Sequence, residues 1–245
     1  MSATDLQELK DSLRGLTAVE ILELIDRKFG TTATFSTSFG AEDQVVTEMI
    51  RKTGLSMSIF ALDTGRHFEE TYYTMAMTVS RYGPIDVFAP EAADIEKLLR
   101  EKGPLSFYES VENRKECCFI RKVKPLKRAL AGKACWISGI RKGQSESRSS
   151  FEIAEWDDDH QLIKVYPLLE WTTEEIWNYI KEKDIPYNEL HDRGFPSIGC
   201  APCTRAVKPG ENLRAGRWWW EESDQECGLH VTTIRSLEKR PANPS

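Results

Sequence analysis

The sequence predicts an α/β fold: a parallel twisted sheet with helices on both faces, followed by an irregular C-terminal segment. Three observations predict it. Short β-rich runs alternate with stretches of helical periodicity between residues 32 and 138, as the crossovers of a parallel sheet require. The loops leaving the predicted strands are polar or contain glycine, which suits a ligand site beyond the strand ends. From Arg193 the amphipathic pattern lapses, and glycine, proline, cysteine and arginine take over until Trp218. The expected units are an N-terminal helical segment (1–30), a central α/β domain (31–192) and a C-terminal segment (193–245).

Leu6, Leu9, Leu13 and Leu16 step at helical spacing, as do Val19, Leu22, Ile25 and Phe29 before Gly30, which predicts two helices. A strand over Thr32 to Ser36 precedes a helix through Val45, Val46, Met49 and Ile50. A strand over Ser58 to Leu62 precedes a helix through Phe68, Tyr72, Met75 and Val79. Ile85 to Phe88 leads into a helix from Ala92 to Lys102, and Ala134 to Ser138 reads as a further buried strand. Thr172 and Glu175 have the spacing of a reciprocal helix cap, so a helix starts there. The polar tail after His230 is expected to fray.

The chain has 245 residues, 40% of them apolar and 29% charged, which is ample for a buried core and unlike a disordered chain. Lys and Arg total 33 against 39 Asp and Glu, a net charge of −6. That balance argues against general binding to nucleic acid or anionic membranes, and leaves room for a small anionic ligand at a local basic cluster. No apolar run approaches the roughly 20 residues needed to cross a bilayer, and the start lacks a secretion signal. A cytoplasmic location is the expectation. Six cysteines in a reducing compartment point to metal binding or chemistry rather than a disulfide framework.

Cys200-Ala-Pro-Cys203 has a spacing that lets two thiolates reach one metal centre, and Cys117-Cys118 is a tandem pair. One four-thiolate site would tie the domain to its C-terminal segment. A redox dithiol and a structural zinc remain alternatives at this point. Cys135, inside Ala-Cys-Trp-Ile-Ser, reads as a small buried hydrophobe. The loop Ser36 to Asp43 has the small residues that let backbone N–H groups cradle phosphate at a helix start, or it is a plain strand-to-helix turn. The loops Leu62-Asp63-Thr64-Gly65-Arg66 and Gly139 to Arg148 are compatible with nucleotide contact or with solvated charge. Arg121 and Lys122 follow one cysteine pair; Arg205, Arg214 and Arg217 follow the other. If both pairs share a centre, these cations converge, where they would balance thiolates and receive phosphate or sulfate. Cys227, flanked by Gly228 and followed by His230, suits a mobile nucleophile or is an idle thiol.

In this order the motifs TSFGAED, LDTGR, Cys117-Cys118 with Arg121-Lys122, Cys200-Ala-Pro-Cys203-Thr-Arg205, Gly216-Arg217-Trp218-Trp219-Trp220 and Glu226-Cys227-Gly228-Leu229-His230 resemble the assimilatory adenylyl-sulfate reductases, over nearly the whole chain. The resemblance implies an ATP-pyrophosphatase-like nucleotide-binding domain over 31–192 and a [4Fe–4S] cluster on Cys117, Cys118, Cys200 and Cys203. It implies reduction of adenosine 5′-phosphosulfate (APS) to sulfite and AMP through an S-sulfonated Cys227, within sulfate assimilation. By the same resemblance the substrate is held by Ser36, Ser38, Phe39 and Gly40, by Leu62, Thr64, Gly65 and Arg66, and by Lys122, Arg141, Arg214, Arg217 and His230. Thioredoxin or glutaredoxin is the implied electron donor, coming from outside because no thioredoxin-like domain follows His230, and a homo-oligomer is the implied assembly. The alternatives are 3′-phosphoadenylyl sulfate (PAPS) as the substrate, or a metal-stapled adenylate-binding module without turnover.

Overall fold

The leucine-rich stretches at the start form helices α1 (Ala3–Leu13) and α2 (Ala18–Phe29) in the computed structural model, which describes residues 3–221. Thr17 caps α2: its Oγ1 accepts the Glu20 N–H at 3.3 Å, and Glu20 Oε2 accepts the Thr17 N–H at 2.7 Å. Two otherwise unpaired donors at the helix start are thereby satisfied. The predicted alternation follows. β1 (Ala33–Thr37) leads to α3 (Ala41–Thr53), β2 (Ser58–Leu62) to α4 (Glu69–Tyr82), and β3 (Asp86–Phe88) to α5 (Ala92–Lys102). Helices α6 (Val111–Cys118) and α7 (Lys124–Leu130) precede β4 (Cys135–Ile137), β5 (Ala154–Asp157), β6 (Leu162–Val165) and α8 (Thr173–Glu182). The anticipated cap at α8 is present, with Thr172 Oγ1 accepting the Glu175 N–H at 3.2 Å.

The six strands form one sheet in the order β3-β2-β1-β4-β6-β5. β1 lies at its centre, with Thr34 beside Ser58 of β2 and Phe35 beside Ile137 of β4, both pairings parallel. The chain first winds outward through β2 and β3, then returns to place β4 on the other side of β1. Crossovers on either side of this point diverge and leave a crevice at the strands' carboxyl ends.

The sheet is not wholly parallel, as the sequence pattern suggested. β5 runs antiparallel to β6, pairing Ala154 with Val165. A tight turn joins them, in which Gln161 takes a positive φ of 56° and donates its N–H to Asp157 O at 2.7 Å. Sequence pattern does not reveal these strands, because each is four residues long and β5 ends on Asp157, buried where it accepts from Lys164 at 2.6 Å. The α6–α7 region was also unforeseen. Apolar periodicity is missing from α6 because the residues it buries are Arg114 and Cys117.

Alternate strand residues feed two different layers, as the two-residue period requires. Phe35, Ile59, Ile137, Ile163 and Val165 meet α1, α2, α3 and α8 in the larger core. Phe60, Trp136 and Leu162 face the opposite side, against Leu126, Ala129 and Leu130 of α7. Leu22, Ile25, Val45, Val46 and Ile50 are fully buried in the first layer, each contributing roughly 1.5–3 kcal/mol of hydrophobic stabilisation. The described part of the N-terminal helical segment, 3–30, therefore packs into the same core as the sheet. Among the described residues no helix is long and apolar enough to cross a membrane.

Candidate active site

The loops after β1 and β4 face each other across the crevice, and Asp43 joins them. Its Oδ2 accepts both the backbone N–H and the hydroxyl of Ser38 at 2.6 Å, and the carboxyl also accepts from the Gly139 backbone. Gly139 must lack a side chain here, because a Cβ would sit 2.4 Å from Asp43 Oδ1. Phe39, in the loop after β1, holds a φ of 60°, a strained value for an aromatic residue. Its N–H is taken by Thr37 Oγ1 at 3.1 Å.

Burial raises the Asp43 carboxyl to about 6, against the opposing effect of the Ser38 hydrogen bonds. The unfolded chain loses this proton near pH 4, so between about pH 4 and 6 the folded form alone is protonated. Asp43 therefore subtracts stability as pH rises through that window, and its ionised form costs about 3 kcal/mol above pH 6. Only the ionised carboxylate accepts all three loop hydrogen bonds. Activity is expected to fall on the acid side with an apparent pKa near 6, and Asp43→Asn is expected to flatten that limb at about a tenth of the rate or less. A kcat/KM profile from pH 5 to 8 that keeps the limb in Asp43→Asn would refute this.

The crevice holds two connected cavities that share Ser38, Asp43, Lys122, Ser138 and Ile198. The smaller, about 130 Å³, has apolar walls from Leu62, Leu126 and Trp136, with Ser36, Thr37, Thr71 and His67 as polar partners. Trp136 Nε1 donates to Ser36 Oγ at 2.8 Å, which fixes the indole as a flat wall. Burial lowers the His67 pKa, partly offset by Leu62 O, so the ring is neutral at pH 7; its Nε2 lies 3.0 Å from that oxygen. The larger cavity, about 480 Å³, is lined by Lys122, Arg141, Arg148, Arg214 and Arg217. Arg141 is committed to other partners: Glu42 Oε1 at 2.9 and 2.7 Å and Trp171 O at 3.0 Å. Arg217 Nη1 donates to Ser197 Oγ at 3.3 Å. A flat slot beside a cationic chamber is the shape a nucleoside with an anionic tail needs.

The cysteine pairs lie against one flank of this crevice. Between α6 and α7 the helix widens into a π turn over Phe119–Val123, a distortion frequent at functional sites. It buries Arg121, whose Nη1 donates to Thr64 O at 2.6 Å, and places the next residue, Lys122, in the crevice wall. Cys200 to Cys203 form a short turn docked on the LDTGR loop. The Ala201 N–H donates to Arg66 O at 2.8 Å, and Cys200 Sγ donates to Thr64 Oγ1 at 3.3 Å. Cys117, Cys200 and Cys203 meet in one small cluster with Trp218, Leu98 and Phe107, and Cys118 follows on α6. Burial raises the Cys117 thiol, against opposing pulls from Arg66 and Arg121. Burial and Cys200 push Cys203 up to about 12. Thiols in this state hold their protons until a positive centre replaces them. As they stand, no three Cys, His, Asp or Glu side chains among the described residues are spaced to hold a metal ion.

Of the residues the sequence singled out, Ser36, Ser38, Gly40, Leu62, Lys122, Arg141, Arg214 and Arg217 line the crevice. Thr64, Gly65 and Arg66 belong to the thiol flank: Gly65 lies against Arg121, and Arg66 stacks on Phe107, 4.7 Å from the ring centre. Phe39 is buried and does not line the cavities. Arg205 does not converge with the other cations; its guanidinium pairs with Glu211 at 2.8 and 3.1 Å. Cys227 and His230 lie outside the described residues. Cys135 is a fully buried thiol, as its strand context suggested, and desolvation raises it to about 12. Sequence reasoning missed Asp43 as a clamp, Trp136 and His67 as cavity walls, and Arg148 as a buried lining cation. Their partners are distant in the chain, and only the residue types in the loops hinted at them.

The chain is similar to known reductases. The phosphoadenosine phosphosulfate reductase domain matches residues 32–206. Adenosine 5′-phosphosulfate reductase of Burkholderia cepacia is 47% identical over 211 residues, 85% of this chain and 83% of that one. The enzyme of the same name from Agrobacterium fabrum is 47% identical over 232 residues, covering 94% and 89%. Among solved structures, phosphoadenylyl-sulfate reductase from Candida auris, a phosphate complex, superposes with a TM-score of 0.73 at 27% identity, over 84% of this chain and 98% of that one. Candida glabrata FMN adenylyltransferase, solved with FAD and inorganic pyrophosphate, shares only the fold, at 16% identity and a TM-score of 0.52. Its match covers 86% of this chain and 78% of that one.

Proposed function

The chain belongs to the phosphoadenosine phosphosulfate reductase family, and from its crevice we propose that it reduces APS to sulfite and AMP, using Cys227 as nucleophile. One observation carries the reading beyond family membership. The π turn joins the tandem cysteines directly to Lys122 in the wall of a cationic chamber, so a thiol centre and an anion site share one structural element.

In this reading the adenine and ribose occupy the smaller cavity, against Leu62, Leu126 and Trp136, and the phosphosulfate enters the larger one. Lys122, Arg214 and Arg217 neutralise it, and they stabilise the charge that gathers on the leaving phosphate. The Cys227 thiolate attacks the sulfate sulfur; the S–O bond to phosphate breaks, and AMP departs with the electron pair. A donor thiol of the thioredoxin or glutaredoxin class then attacks Cys227 Sγ, releases sulfite and forms a disulfide, so two thiols supply the two electrons. His230 is assigned to the same anion site by resemblance.

The thiol flank supplies the donor set of the [4Fe–4S] cluster that the resemblance implies, which Cys117, Cys118, Cys200 and Cys203 would hold, although as they stand these thiols are not spaced to hold a single metal ion. Three buried donors beside the thiols, Arg121 Nε, Arg217 Nε and Trp218 Nε1, have no acceptor in the protein, as expected around an anionic sulfur-rich group. When bound, such a centre supplies a fixed charge beside Lys122, and it tunes the field at the anion site.

The test uses anaerobically prepared protein, incubated without thiol with APS in one sample and PAPS in another. Peptide mass spectrometry then asks whether the Cys227 peptide gains a sulfonate. Label from APS alone supports the proposal. Label from PAPS alone keeps the chemistry and corrects the substrate. If neither labels Cys227 in iron-loaded protein, the catalytic reading fails and a binding module without turnover takes its place.

A further inference from the structure

Trp218 is almost fully buried, and its backbone φ of 44° is a left-handed value that a bulky residue adopts only when its surroundings enforce it. Its indole stands in a column of charges. The Arg114 guanidinium lies 4.6 Å from the indole centre, and that of Arg217 lies 4.8 Å from the same ring. Arg114 comes from α6, and its Nε and Nη2 donate to the two carboxylate oxygens of Glu221 at 2.8 and 2.7 Å. Both side chains of that pair are at least nine-tenths buried. The backbone holds the same arrangement, because the Glu221 N–H donates to Trp218 O at 2.9 Å and the Trp218 N–H to Cys203 O at 3.2 Å.

Arg217 also packs on Gly199, where an added Cβ would stand 2.4 Å from its Nη2 and 2.6 Å from its Cζ. Its guanidinium is therefore confined by the Trp218 ring and the Gly199 backbone, and it reaches the larger cavity from that position. A cation with several rotatable bonds loses much side-chain entropy when it binds an anion; one already stacked and confined loses less. Two guanidiniums near a single ring repel each other unless one is neutralised. Glu221 supplies that neutralisation to Arg114 and leaves the charge of Arg217 for the crevice.

We propose that Arg114 and Glu221 act through Trp218 as positioning residues that hold Arg217 ready for the anionic end of the substrate. The proposal rests on the reading of Arg217 as an anion-binding residue, given above.

The experiment is a double-mutant cycle on iron-loaded protein. APS and adenosine affinities are measured for wild type, Arg217→Ala, Glu221→Gln and Arg217→Ala/Glu221→Gln. Arg217→Ala is expected to weaken APS about 100-fold and to change adenosine affinity less than twofold. Glu221→Gln is expected to weaken APS about 10-fold, again sparing adenosine, and to add almost nothing once Arg217 is absent. Arg114→Lys, which keeps the cation but not the fork, is expected to behave as Glu221→Gln and guards against poor folding of the latter. Losses that add independently in the double mutant, or equal losses of adenosine affinity, would show a merely structural role and overturn the proposal. So would unchanged APS affinity in Glu221→Gln and Arg114→Lys. If Arg217→Ala itself binds APS normally, the assignment of Arg217 fails instead.

Discussion

Replacing Cys227 with serine is expected to stop sulfite formation by about a thousandfold or more while APS still binds within about twofold. The crevice proposed to recognise the nucleoside and the phosphosulfate is lined by residues between 36 and 217, and Cys227 lies beyond all of them in the chain. On that reading most of the binding energy comes from a segment other than the one that makes the bond, His230 being the exception, so removing the Cys227 thiol leaves affinity largely in place. Serine keeps the size of the side chain, but its hydroxyl loses a proton far less readily than a thiol and resists attack at sulfur. Turnover and equilibrium binding of APS check the expectation together. A Cys227→Ser protein that still forms sulfite at a tenth of the normal rate would require another nucleophile. Of the other described cysteines, Cys135 is buried in β4 and Cys117 and Cys203 in the thiol cluster, which suits them poorly to that role; Cys118 and Cys200 are half-buried and would be the ones to test next.

The second large effect is expected at Cys203. Cys203→Ser is expected to lose its iron and with it at least 99% of activity. It is also expected to melt earlier than wild type by several degrees. Burial and neighbouring Cys200 disfavour the lone Cys203 thiolate strongly, so the site is costly to ionise without a metal to bind it. Metal binding to such thiols is coupled to folding, and structural centres contribute on the order of 10 kcal/mol where they form. The region that would suffer is identifiable. The turn at Cys203 holds Trp218 through the backbone, and Thr204 pairs with Arg217, so loosening it releases a lining cation of the crevice. Iron content, visible absorbance and a thermal melt read the three parts of the expectation. A Cys203→Ser protein with full iron would refute the ligand assignment. Normal iron-free activity in that variant would refute the centre's importance to the reaction.

The Leu62, Gly40 and Ser38 positions were legible because they follow apolar strand runs, and the strand ends of a parallel sheet are where such folds bind ligands. Lys122 and Arg217 were legible through their nearness in sequence to the cysteine pairs. Arg141 sits at an equally legible strand end, yet it is held by Glu42 and Trp171 O, because a cation buried on a helix-rich wall needs partners there. The α6 helix was hidden for the opposite reason: its buried residues are an arginine and a cysteine, types that periodicity arguments count as exposed or neutral. Its arginine finds an acceptor 107 residues away, at Glu221.

Local spacing determined the elements themselves. The Leu6 to Phe29 steps, the five residues of β2 and the Thr172–Glu175 cap depend on contacts within a few residues, so the sequence alone determined α1, α2, β2 and the start of α8. It also determined the family, through the order of its cysteine and arginine motifs. Contacts across long loops were decided only by the tertiary structure. The antiparallel β5, the Asp43 clamp between two crevice loops, and the stacking of Arg114, Trp218 and Arg217 all join positions that no local pattern links. Burial gives those contacts their strength: a carboxylate or guanidinium removed from water must find its partner wherever the fold brings one.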